Sequence, residues 1–252
     1  QIALIAAVFC AASSFPQDIA AKIDSAINKA DAGIARIIAL APDDRNFDSV
    51  LGYLDRLTAE FDAETSMSVF QQYVNPDSKI REQSRQAEET VTNWYIEVGK
   101  REDLYNAIRA FADTKPVLIG EQKRMLDQTM RDYKRSGMSL PKETRDRLKA
   151  LEMAISKVGI EFETNIAEDQ TKVPLNLKEL KGVPQEVIDR LPKVGTTVLS
   201  GLDGPTYSAI MDYCSVEETR RKMQWLNRRR APKNVEVLEK MLKLRDEMSL
   251  LL

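Results

Sequence analysis

The sequence predicts a mainly α-helical protein, a multi-helix array interrupted by a small irregular or β segment near residues 171–206. Three observations predict it. Apolar residues recur every three or four positions through most of the chain, the spacing that lines one face of a helix. The period is lost between Thr171 and Thr206, where Val, Thr, Gly and Pro accumulate instead. A 43% hydrophobic content over 252 residues is ample for a buried core.

Taken in order, Ile19, Ile23, Ile27, Ala30, Ile34 and Ile37 line one face of a first helix. After Pro42-Asp43-Asp44, a second stripe carries Phe47, Val50, Leu51, Leu54, Leu57 and Phe61. Asn75-Pro76 reads as an N-cap followed by proline at the first helical position, where its missing N–H costs nothing. Ala87, Val91, Trp94, Tyr95 and Val98 form the apolar face of that helix, and Leu104, Tyr105, Ile108 and Phe111 continue into another. Pro116 is expected to open the next, which carries Val117, Leu118, Met125, Leu126 and Tyr133 and stops at Gly137. Pro141 starts the clearest helix, with Leu148, Leu151, Ile155, Val158, Phe162 and Ile166 on one stripe. Short strands and turns are expected through 171–206, from Lys172-Val173-Pro174-Leu175, Thr196-Thr197-Val198-Leu199-Ser200 and Leu202-Asp203-Gly204-Pro205. Helix resumes with Glu217-Glu218 in a first turn and runs to Arg228-Arg229-Arg230, a charge order that suits the helix dipole. A last helix follows Pro232 and stays apolar through Met248-Ser249-Leu250-Leu251-Leu252 with no stop residue, which reads as a truncated chain.

Composition narrows the chemistry. The chain contains no histidine, so Ser/His/Asp and Cys/His nucleophilic systems and imidazole zinc sites cannot be completed within it. Lys plus Arg total 37 against 39 Asp plus Glu, so no global field steers the protein toward nucleic acid or anionic membrane. Cys10 and Cys214 are far apart in sequence, which argues against a disulfide framework, and a Cys-only metal site would lack ligands. Residues 1–14 are an apolar leader or a first helix: Ile2 to Ala12 is too short for a stable membrane span but has the length of a signal-peptide core. The expected compartment is cytoplasmic, or periplasmic or secreted if residues 2–12 are a signal remnant.

Local motifs have plain structural readings. Asp44-x-Asn46-x-Asp48 imitates half a calcium loop, but Ser49 and Asp55 stand where that loop needs Gly and Glu, so helix capping is the better reading. Arg220, Arg221, Lys222, Arg228, Arg229, Arg230 and Lys233, with Trp225 among them, suggest a nucleic-acid patch; Glu217 and Glu218 and a helix C-terminus account for them without one. Glu88-Glu89 are neighbours that point in different directions on a helix and read as solvated surface. The ten glycines are scattered and form no phosphate loop.

Several strings, read in order, resemble the N-terminal region of the thimet oligopeptidase and oligopeptidase A-like (M3) family of zinc metallopeptidases. They are Asn75-Pro76-Asp77-Ser78-Lys79-Ile80-Arg81-Glu82, Arg101-Glu102-Asp103-Leu104-Tyr105, and Arg124-Met125-Leu126 leading to Arg131-Asp132-Tyr133-Lys134-Arg135-Ser136-Gly137 with Leu140-Pro141. Phe162-Glu163-Thr164-Asn165-Ile166, Glu179-Leu180-Lys181-Gly182-Val183-Pro184 and Leu238 through Leu244-Arg245-Asp246-Glu247 continue the series. The resemblance implies a helix-rich enzyme whose two lobes enclose a channel for short peptides, with zinc on a His-Glu-x-x-His helix and a later glutamate. That motif lies downstream of the matched region, so residues 15–252 are expected to supply channel wall and no catalytic or metal residue. Zinc and short peptides belong to the full-length protein, completed by a missing C-terminal catalytic part. The alternatives are a stand-alone helical peptide-binding or scaffold protein without metal, and a histidine-free enzyme using carboxylates alone.

Overall fold

The computed structural model describes residues 18–252, which form two compact units: one up to Ser156 together with Met248–Leu252, the other Lys157–Glu247. Cys10 and the Ile2 to Ala12 stretch lie outside the described residues. The fold is mainly α, with one small antiparallel sheet.

In the first unit, α1 (Ile19–Ile38), α2 (Leu51–Val74) and α3 (Ser78–Gly99) pack on one another, and α4 (Glu102–Asp113) closes against α1. The core is the apolar stripe read from the sequence: Ile19, Ile23, Ala30, Ile34 and Ile37 are buried along α1, with Ile27 half-buried. Each such isoleucine contributes on the order of 1.5–3 kcal/mol by leaving water. Ala26 and Gly33 complete the buried face. At Gly33 a Cβ would stand 2.6 Å from Leu57 Cδ1, so the missing side chain sets how closely α1 and α2 approach. Asp18 caps α1 by accepting from the Ala21 N–H at 3.1 Å.

Helix starts depart from the sequence reading at three places. Phe47 and Val50 lie in a turn before α2 rather than on it; there Asn46 and Ser49 bond reciprocally at 3.0 Å, side chain to backbone. Asn75 ends α2 instead of starting α3, because a residue before proline avoids helical dihedrals. Asp77 is the N-cap, accepting from the Lys79 N–H at 2.8 Å, while Asn75 Oδ1 accepts from the Asp77 N–H at 2.9 Å. Nor does Pro116 open the next helix: α5 spans Gly120–Arg135. Lys115 at φ 52 closes α4, and the residues that follow are not helical, with Leu118 against the core, Val117 98% exposed and Ile119 extended before α5. Helical turns there would abandon that in-out alternation.

Gly137 ends α5 as expected. With Gly137 at φ +83, its N–H donates to the Lys134 carbonyl and that of Met138 to the Tyr133 carbonyl, the paired bonds of a Schellman cap. Pro141 sits one residue before α6 (Lys142–Ala167), its carbonyl accepting from the Arg145 N–H at 3.0 Å. Leu148, Leu151 and Val158 are buried along α6, while Ile155, Phe162 and Ile166 are half-buried.

The second unit holds the sheet. Its strands β1 (Val173–Asn176), β2 (Lys193–Val194) and β3 (Thr197–Ser200) run antiparallel in the order β1-β3-β2. Val173 and Leu175 alternate inward along β1, and Pro174 occupies an edge strand, where its missing N–H breaks no ladder. Gly195 at φ +60 helps turn the chain from β2 into β3. Two helices of this region were not read from the sequence: α7 (Gln185–Arg190) and α8 (Gly204–Tyr213). Leu202-Asp203-Gly204-Pro205, expected as a turn, is a helix start in which Asp203 accepts from the Thr206 N–H at 3.1 Å. Helix α9 (Glu217–Asn227) stops before the three arginines, since Ala231 adopts φ 50 and its N–H reaches Asp169 at 2.8 Å. Helix α10 spans Asn234–Leu251.

Candidate functional site

A polar cleft of about 390 Å³ in the first unit lies between the end of α3 and the first turns of α6, with Trp94 and Asp31 of α1 among its walls. Helical spacing builds it. Lys142, Arg145, Asp146 and Lys149 recur at three and four residues along α6, so they share a face. The opposing wall carries Glu97 and Arg101, and Glu102 enters from the start of α4.

Each charge in this cleft is answered by another. Arg145 donates to Glu102 at 2.6 Å and to the carbonyls of Met138 and Leu140 at 3.4 and 3.2 Å, tying the turn after Gly137 to α6. Lys149 pairs with Glu97 at 3.1 Å and Lys142 with Asp146 at 2.7 Å. The Arg101 guanidinium grips Asp103 through two bonds of 2.8 and 3.0 Å and holds that carboxyl below the usual range. Its own pKa is raised in turn. Trp94 Nε1 donates to Asp31 Oδ1 at 3.0 Å. The Lys142 ammonium likewise lowers Asp146. The cleft therefore presents paired charges, with Arg145–Glu102, Lys149–Glu97 and Lys142–Asp146 lining its two walls.

The residues singled out from sequence are not brought together. Asp44, Asn46 and Asp48 stay in the turn before α2, where Ser49 Oγ donates to the Asp44 carbonyl at 2.8 Å. The basic run is largely absorbed by structure: Arg221 pairs with Glu217 and Glu218, Lys222 donates to the Pro174 carbonyl at 2.8 Å, and Arg230 to the Leu202 carbonyl at 3.3 Å. Arg220 bonds the Cys214 carbonyl, and Arg229 lies 4.1 Å over the Trp225 ring. Glu88 and Glu89 are half-buried, not solvated surface, because Glu88 accepts from Gln72 Nε2 at 2.8 Å and joins α3 to α2. Cys214 is buried, its Sγ 3.2 Å from the Glu179 carbonyl oxygen. Sequence reasoning missed the cleft. The four-residue step from Lys142 to Asp146 signals part of it, but Asp31 and Trp94 are 63 residues apart and leave no local trace.

Zinc, implied by the resemblance, does not fit the donor set of this chain. There is no imidazole, and among the described residues no group of three or more Cys, Asp or Glu could hold a metal ion. Among the same residues no helix is long and apolar enough to cross a membrane.

No family model matches the chain. It is 33% identical over 232 residues to a thimet-like oligopeptidase of Dictyostelium discoideum, a match covering 88% of this chain and 34% of that protein. Oligopeptidase A of Salmonella typhimurium is 29% identical over 71% of the chain and 29% of its own length. A mitochondrial intermediate peptidase of Chaetomium globosum is 26% identical over 88% of the chain and 29% of its own length. The chain thus spans about a third of the length of the curated relatives it matches. Its homologues over most of its length, at 25–33% identity, are peptidases of the M3 family.

Proposed function

We propose that residues 15–252 are the helical N-terminal portion of a zinc-dependent metallo-oligopeptidase that hydrolyses short peptides, a channel-wall element that is non-catalytic on its own. One observation carries the reading. The match to the Dictyostelium peptidase takes in 88% of this chain but 34% of that relative, and the matched stretch lacks the imidazoles that such a zinc site uses. Zinc and the attacking water then belong to the remainder of the parent protein, and peptides are its substrates. The paired charges between α3 and α6 supply polar wall surface and fix the two helices. Metal analysis of the purified chain after zinc loading, with a quenched-fluorescence peptide assay on the same sample, tests this. The reading expects no stoichiometric zinc and no cleavage; one tightly held zinc per chain with peptide hydrolysis contradicts it.

A further inference from the structure

A second cavity, of about 530 Å³, adjoins the charged cleft and shares Lys100 with it. Its walls come from α3, α5 and α6: Thr92, Tyr95 and Ile96 on one side, Thr129 and Tyr133 on another, with Glu152 beyond Lys100. We propose that this cavity is a binding site for an uncharged ligand that joins an aromatic or branched apolar group to an amide carbonyl.

Three features point to that chemistry. The first is a buried ammonium with a donor to spare. The Lys100 side chain is 6% exposed; its Nζ pairs with Glu152 at 2.7 Å and donates to the Ser136 carbonyl at 2.7 Å. A lysine ammonium has three N–H groups, and no described residue takes the third. The second is a set of hydroxyls without a protein partner among the described residues, on Thr92, Thr129 and Tyr133, all half-buried at the cavity wall. The third is the balance of apolar surface and charge. Tyr95, Ile96 and Tyr133 offer apolar contact, while Lys100 is neutralised by Glu152, and Asp132 at the rim has Arg131 at 3.8 Å. The charges inside are the mutually paired Lys100 and Glu152, while Asp132 stands exposed at the rim, so a largely apolar wall with a few convergent polar groups favours a neutral acceptor over an ion. Gly99 at the end of α3 is part of the lining, and an added Cβ there would meet nothing within 4 Å.

The test uses matched probes on the ¹⁵N-labelled chain: N-acetyl-phenylalanine amide, its free-acid form N-acetyl-phenylalanine, and its free-amine form phenylalanine amide. The neutral probe is expected to give saturable shifts at the amides of Thr92, Ile96, Gly99, Thr129 and Tyr133, with each charged probe at least about fivefold weaker. Gly99→Leu adds a bulky side chain at a lining position that has space for it and is expected to weaken binding at least about tenfold, with cooperative unfolding retained. Thr129→Val, nearly isosteric, is expected to cost about threefold and covers the case in which the leucine variant does not fold. Absent saturable shifts, tighter binding of either charged probe, or affinity unchanged in both variants overturns the proposal. Zinc and cleavage play no part in this readout, so it stands or falls apart from the peptidase reading.

Discussion

The two units keep their shape by different means. In the first, long helices bury periodic apolar stripes, and the loss of any one contact is shared among many neighbours: Ile34, Leu51, Leu104 and Ile108 all sit in a single cluster. In the second, a three-stranded sheet and short helices are joined by residues with one workable backbone conformation, of which Gly182 is the clearest. At φ +95, its absent Cβ would run into the Tyr213 carbonyl oxygen. Periodic burial is robust and legible; a special backbone position is fragile, and it is legible only where, as at Gly137, it closes a periodic helix. The same contrast ranks the outcomes of perturbation.

Gly182→Ala is the strongest way to break the second unit. Left-handed strain together with a clash against backbone is expected to cost about 4 kcal/mol, read as an early loss of the sheet in denaturant titration. A cost below about 1 kcal/mol would show that the backbone there adapts freely. Ile34→Ala, which opens a cavity in the α1 stripe, is expected to cost about 3 kcal/mol. Its loss should appear in the helical signal of the first unit, and a change smaller than the Gly182 effect is what the comparison requires.

The next effect belongs to pH. Burial, with the Asp103 charge nearby, pushes the Tyr133 phenol from about 10 up to about 12. The unfolded chain therefore loses this proton first, so the stabilisation is fully present below pH 10 and is lost as pH rises to about 12. The span corresponds to about 3 kcal/mol. Tyr133→Phe should flatten that alkaline decline, and an unchanged slope would remove Tyr133 from the account. Asp203→Ala sharpens the comparison at its weak end. Removing the cap of α8 is expected to cost about 1 kcal/mol, seen as a small downward shift in midpoint with no change in denaturant slope.

What could be read from the sequence follows the same division. The α1 stripe, the stop at Gly137 and the long α6 register each depend on residues within a turn or two of one another. The misreadings share a cause. Pro116 carries a helix-start signal, but Lys115 in the left-handed region and Leu118 seated against the core keep the segment out of helix until Gly120. Asn75 and Asp77 are both good caps, and the proline between them decides which is used. Helix α8 was hidden because Gly204-Pro205 reads as a turn until Asp203 is recognised as its cap. The candidate sites were less legible than the fold. Asp31 under Trp94 and Lys100 between Glu152 and Ser136 are assembled across tens of residues, which no local spacing reveals. The absence of histidine was legible throughout. It bears on the proposal that this chain is the N-terminal portion of a larger peptidase.

Sequencing the gene and its transcript beyond the codon for Leu252 tests that placement most directly. The account predicts an uninterrupted reading frame carrying His-Glu-x-x-His and a later glutamate within the next few hundred codons. A stop codon shortly after Leu252, or a long continuation without that motif, would contradict it.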